Sequence, residues 1–110
     1  MVERIENYAD FFPYYLREHS KRACRISHYI GTTLVIACWL KLVLTMDFVW
    51  LGYGFLAGYG FAWFGHFFIE KNRPATFQYP LWSLISDFKM YGLWLTGRLD
   101  EQLEQAMADK

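Results

Sequence analysis

From Phe48 to Ile69 the chain carries no charged side chain, and this run limits the fold more than any other feature. As a helix it is long enough to cross a bilayer, which takes about 20 apolar residues. A similar run precedes it, 26–44 (ISHYIGTTLVIACWLKLVL), in which the one charge, Lys41, lies near the far end and can reach the interface. The TMD turn between the runs is too short for anything but a tight helical hairpin. Residues 26–44 and 48–69 are therefore read as two membrane spans. Trp39, Trp50 and Tyr53 cluster near the turn, and Tyr29, Trp63 and Phe68 near the other end, an arrangement that resembles interfacial aromatic belts. Basic residues flank the start of the first span and the end of the second, which puts both termini in the cytoplasm.

Around the hairpin the chain is more polar. Residues 6–18 (ENYADFFPYYLRE) form an aromatic, amphipathic segment in which a helix starts or kinks at Pro13. A polar break, EKNRPAT, ends the second span. Residues 78–97 become apolar again but contain Asp87 and Lys89, which suits an interfacial or half-inserted helix over about 80–96, beginning near Pro80. Residues 98–110 read as a soluble helical tail. The expected fold is all-α: a single membrane-embedded domain over 1–110, a transmembrane hairpin with N-terminal and C-terminal amphipathic helices. Its 55% hydrophobic and 21% aromatic content fits that reading. A formal net charge of zero argues against nucleic acid as a partner. Cys24 and Cys38, with no C-x-x-C spacing, read as two buried free thiols. The acidic, aromatic start VERIENYADFF lacks the basic lead and apolar run of a secretory signal.

Gly54, Gly58, Ala62, His66 and Glu70 recur every four residues and so share one inclined helical row. The small residues let another helix approach closely, including one from a second copy in a homodimer. His66 and Glu70 are a metal-ligand pair in type and spacing. His28 lies three residues into the first span and His66 four from the end of the second. Both therefore sit roughly 5 Å below the same membrane edge. His19, nine residues before His28, falls on the opposite face of any unbroken helix. It joins a common site only if the chain breaks between them, with Ser20 as the cap of a new helix. Two or three imidazoles and a carboxylate resemble the ligands of non-haem Fe(II) oxygenases, and zinc or manganese accepts the same set. Asp87 is a further ligand or a partner orienting a histidine N–H. The competing readings are a non-enzymatic membrane protein that binds lipid or a partner helix, with structural histidines, and a small haem or quinone carrier. Nucleophile-elbow, phosphate-loop, nucleotide and H-E-x-x-H motifs are absent.

Two blocks carry a family resemblance: Y-L-x-x-H-x8-H-x-x-G-T, on Tyr15, Leu16, His19, His28, Gly31 and Thr32, and G-H-F-F-I-E-K-N-R-P-A, on Gly65 to Ala75. Together they resemble a small membrane family typified by the fungal Fe(II)-dependent 2-hydroxy fatty acid dioxygenase of the endoplasmic reticulum, long catalogued as a domain of unknown function. The resemblance runs from about residue 10 to about residue 97. It implies an Fe(II) enzyme of the α-oxidation type that uses O2 to shorten a long-chain 2-hydroxy fatty acid by one carbon to an aldehyde. The motif histidines fall on His19, His28 and His66 as catalytic metal ligands, and the motif carboxylate on Glu70. The substrate's hydroxyl and one carboxylate oxygen would fill open iron positions, with Arg73, Lys71 or Arg22 drawing in its carboxylate. The chain departs from the fungal pattern in being short. Its tail, RPATFQYPLWSLISDFKMYGLWLTGRL, is similar to short bacterial members, which implies a bacterial inner membrane, or the endoplasmic reticulum in a eukaryote.

Overall fold

The computed structural model describes residues 5–108, and every regular element among them is helical. The first four residues of the acidic N-terminus and the last two of the expected tail lie outside the described residues. The chain packs as two compact units: the segment up to Ser20 with the segment from Ala75 onward, and Lys21–Pro74.

The second unit is the hairpin. Helix α2 (Arg22–Thr45) ends where Met46 takes a left-handed conformation, φ 56°, and donates its N–H to the Leu42 carbonyl. Asp47 then turns the chain, its carboxylate accepting the Val49 N–H at 3.1 Å. Helix α3 (Val49–Phe64) runs back along α2 and continues without a break into a π-helical turn, Gly65–Glu70. The small-residue row is what lets α3 lie close. A methyl group at Gly54 would sit 2.4 Å from Trp39 Nε1, and one at Gly58 2.7 Å from Val35 Cγ2. Ala62 is buried in the same row. At Gly54 and Gly58 the row thus packs against α2 of the same chain.

Among the described residues, only α2 is long and apolar enough to cross a membrane. The second expected span is an α-helix for sixteen residues and a π-helix for six. Only 33% of the most apolar window of α2 is buried. Val43, Leu44, Leu56 and Phe68 are each between 68% and 75% exposed. Cys24 is buried, but Cys38 is half-exposed, so the expectation of two buried thiols holds for one.

In the first unit, α1 (Tyr8–Arg17) starts earlier than Pro13 because Asn7 caps it, its side chain accepting the Asp10 N–H at 2.9 Å. Pro13 lies inside the helix. After a short 3-10 turn (Ala75–Phe77) come α4 (Pro80–Leu95), with proline in its first turn, and α5 (Leu99–Ala108). Phe11, Phe12, Tyr15 and Leu16 of α1 are buried, as are Tyr79, Met90, Leu99 and Ala106. Each fully buried large side chain among them stabilises the unit by about 1.5–3 kcal/mol. Phe11 packs on Tyr79 and Trp82, with ring centroids 5.1 and 5.5 Å away. The Tyr8 and Ser86 hydroxyls are 2.9 Å apart, and Arg17 donates to the Ala106 carbonyl at 3.2 Å. Lys89 lies over the Phe12 ring, 4.1 Å from its centroid.

Candidate metal centre

In the hairpin unit, His28 of α2 and His66 of the π-helical turn lie together. Their ring centroids are 5.0 Å apart at an interplanar angle of 88°. Glycines explain why two helices that carry imidazoles approach so closely. A methyl group at Gly31 would be 3.0 Å from Phe61 Cβ and 3.3 Å from the Gly58 carbonyl oxygen. One at Gly65 would be 3.0 Å from Cys24 Sγ. Between these two points the Ser27 hydroxyl donates to the Phe61 carbonyl. Both histidines are buried, with 4% and 2% of their surface exposed.

The π-helical turn places His66. One extra residue per turn shifts the side chains that follow, and such turns recur at functional sites. The turn ends at Lys71, which is left-handed at φ 60°. That reversal brings Asn72 back over His66: the Asn72 N–H donates to the His66 carbonyl at 2.9 Å, and Asn72 Oδ1 lies 2.7 Å from His66 Nδ1. His28 Nδ1 donates to the Cys24 carbonyl at 2.9 Å.

In the other unit, His19 is fully buried just after α1. Its Nδ1 donates to the Tyr15 carbonyl at 2.6 Å, and its ring stacks on the Tyr15 ring with centroids 4.1 Å apart. The Tyr15 hydroxyl donates to Asp87. Asp87 therefore acts on Tyr15, which holds His19; burial pushes its carboxyl up to about 7, with the Tyr15 hydrogen bond opposing the rise.

The remaining expected site residues are placed as follows. The break between His19 and His28 spans the end of α1 at Arg17 and the start of α2 at Arg22. Its cap position is Lys21, not Ser20. Glu70, expected as a ligand, accepts the Lys21 backbone N–H. The Lys21 ammonium in turn donates to the Ile69 carbonyl at 3.1 Å. The Glu70 carboxylate thus satisfies an N–H at the start of α2 that no side chain of the cap residue serves. Arg22, Lys71 and Arg73 are exposed around the same end of the hairpin. Sequence reasoning missed Asn72 and the Tyr15 and Cys24 carbonyls. Asn72 did stand inside the G-H-F-F-I-E-K-N-R-P-A block, but nothing in its spacing from His66 gives a contact without the left-handed Lys71.

Each of the three imidazoles is buried and has Nδ1 bonded to an acceptor of its own unit. Histidine ligands usually donate their other ring N–H to a carbonyl or carboxylate in this way. Comparison with curated proteins and with solved structures gives no match. A family model described as 2-hydroxy-palmitic acid dioxygenase Mpo1-like matches residues 5–99 and so covers all three histidines. Over that length the match leaves one assignment: the chain belongs to the Mpo1-like family.

Proposed function

We propose that this protein is a membrane-bound, Fe(II)-dependent dioxygenase that shortens a long-chain 2-hydroxy fatty acid by one carbon, with O2 as the oxidant. The observation that carries the reading is the shared state of the three buried histidines, each with Nδ1 bonded, within a family of that description. His19, His28 and His66 would hold the metal through Nε2. Bound Fe(II) would supply O2 activation and Lewis acidity.

The chain's own residues do the rest. Burial of the imidazoles keeps bulk water from the reacting end of the substrate. Arg22, Lys71 and Arg73, exposed at the basic end of the hairpin, attract the fatty acid carboxylate. The acyl chain runs along the exposed apolar surface of α2 and α3, where Val43, Leu44 and Leu56 lie against lipid. The hairpin spans the membrane with its basic end on the cytoplasmic side. A bacterial inner membrane, or the endoplasmic reticulum of a eukaryote, fits that placement.

An oxygen electrode tests this directly. Chain purified without oxygen and loaded with Fe(II) should consume O2 with 2-hydroxypalmitate, release a product one carbon shorter, and leave palmitate untouched. His19→Ala should abolish turnover. Equal turnover of palmitate, or an active His19→Ala variant, contradicts the reading.

A further inference from the structure

We infer that Asn72 is a positioning residue that fixes His66 as its Nδ1–H tautomer and so turns Nε2 into the metal-binding atom. The inference rests on the metal reading above and deepens it. The three histidines are not held alike. For His19 and His28 the acceptor at Nδ1 is the backbone carbonyl four residues earlier, Tyr15 and Cys24. A helix supplies that carbonyl whatever side chain stands there. His66 has its Nδ1 on a side chain instead, Asn72 Oδ1 at 2.7 Å.

An amide oxygen only accepts, so the ring nitrogen against it must carry the proton. In the neutral ring the lone pair is then on Nε2. Asn72 cannot readily turn away from this duty. Its own N–H is bonded to the His66 carbonyl at 2.9 Å, and the left-handed Lys71 before it sets the direction of the chain. The result is a closed loop from His66 through the end of the π-helical turn and back to the same residue. An amide also accepts this hydrogen bond without adding a negative charge beside the ion, which a carboxylate would do.

Two measurements on the full chain in detergent test the inference. The first is the 15N–1H correlation of the histidine ring nitrogens in metal-free protein, with His66 assigned from its own variant. Wild type should carry the His66 proton on Nδ1. Asn72→Leu should move it to Nε2, and Asn72→Asp, which keeps the acceptor, should retain it on Nδ1. The second is anaerobic Fe(II) titration. Asn72→Leu should weaken binding about 10–100-fold, while Asn72→Asp binds at least as tightly as wild type.

A wild-type His66 protonated at Nε2 overturns the inference, as does an Asn72→Leu chain unchanged in tautomer and affinity. If Asn72→Leu fails to fold, loss of the Nδ1 proton in Asn72→Asp overturns it equally. A wild-type chain that takes up no metal sinks the metal reading. The tautomer measurement needs no ion, so the two failures are told apart.

Discussion

At Gly31 a single added methyl group would meet backbone and side chain of α3 at once, 3.0 Å from Phe61 Cβ and 3.3 Å from the Gly58 carbonyl oxygen. Neither atom is the far end of a flexible side chain, so the helices must separate. Gly31→Ala should destabilise the hairpin by about 1–3 kcal/mol. Gly60→Ala, with nothing within 4 Å, should leave the melting temperature unchanged or slightly raised. Thermal melts of the two variants in one detergent check this, and equal behaviour would mean that the close approach is not what holds α2 and α3. Asp87 gives a second prediction at this scale. Its folded carboxyl sits at about 7 against an ordinary 3.8. Between those values the unfolded chain has lost the proton that the folded chain keeps, so the unfolded state binds fewer protons and stability falls as pH rises. The penalty is absent below about 4 and complete above about 7. Melts from pH 4 to 8 should therefore show wild type losing stability relative to Asp87→Asn across that window; parallel curves would remove the buried carboxyl from the account.

The helical hairpin was legible at the scale of elements, because two apolar runs around a three-residue turn leave a chain few alternatives. The all-helical class followed from the same runs. Element ends were less legible, and the reasons are local. Asn7 outcompetes Pro13 as the start of α1 because its side chain reaches the Asp10 N–H, and Pro13 falls inside the resulting helix. The π-helical turn has no mark in G-H-F-F-I-E. The depth argument for His28 and His66 needed only the hairpin, whereas Asn72 needed a left-handed Lys71 that no residue type announces. Tyr29, expected in an interfacial belt, is 7% exposed and belongs to the interior. Glu70 was legible by spacing as a carboxylate on the His66 face, whereas its bond to the Lys21 N–H was not. Glu70→Ala should cost about 0.5–2 kcal/mol, as the loss of a helix cap does, and leave metal content unchanged. A variant that folds with wild-type stability and no metal would instead make Glu70 a ligand.

The two units have different interiors. The unit of α1, α4 and α5 has an aromatic interior built on Phe11, Tyr15 and Tyr79. The hairpin unit instead turns many large apolar side chains outward along both helices, and its interior holds glycines, Ser27, Thr32 and two imidazoles beside Tyr29 and Val35. That outward placement of apolar side chains suits a lipid surrounding, and the buried His28 and His66 lie toward the basic end of the hairpin. The most direct test of the account is elemental analysis of chain purified without oxygen. The account predicts iron close to one atom per chain in wild type, and almost none in His28→Ala or His66→Ala variants that keep their helicity. Wild-type chain without metal, or variants that retain it in full, would contradict it.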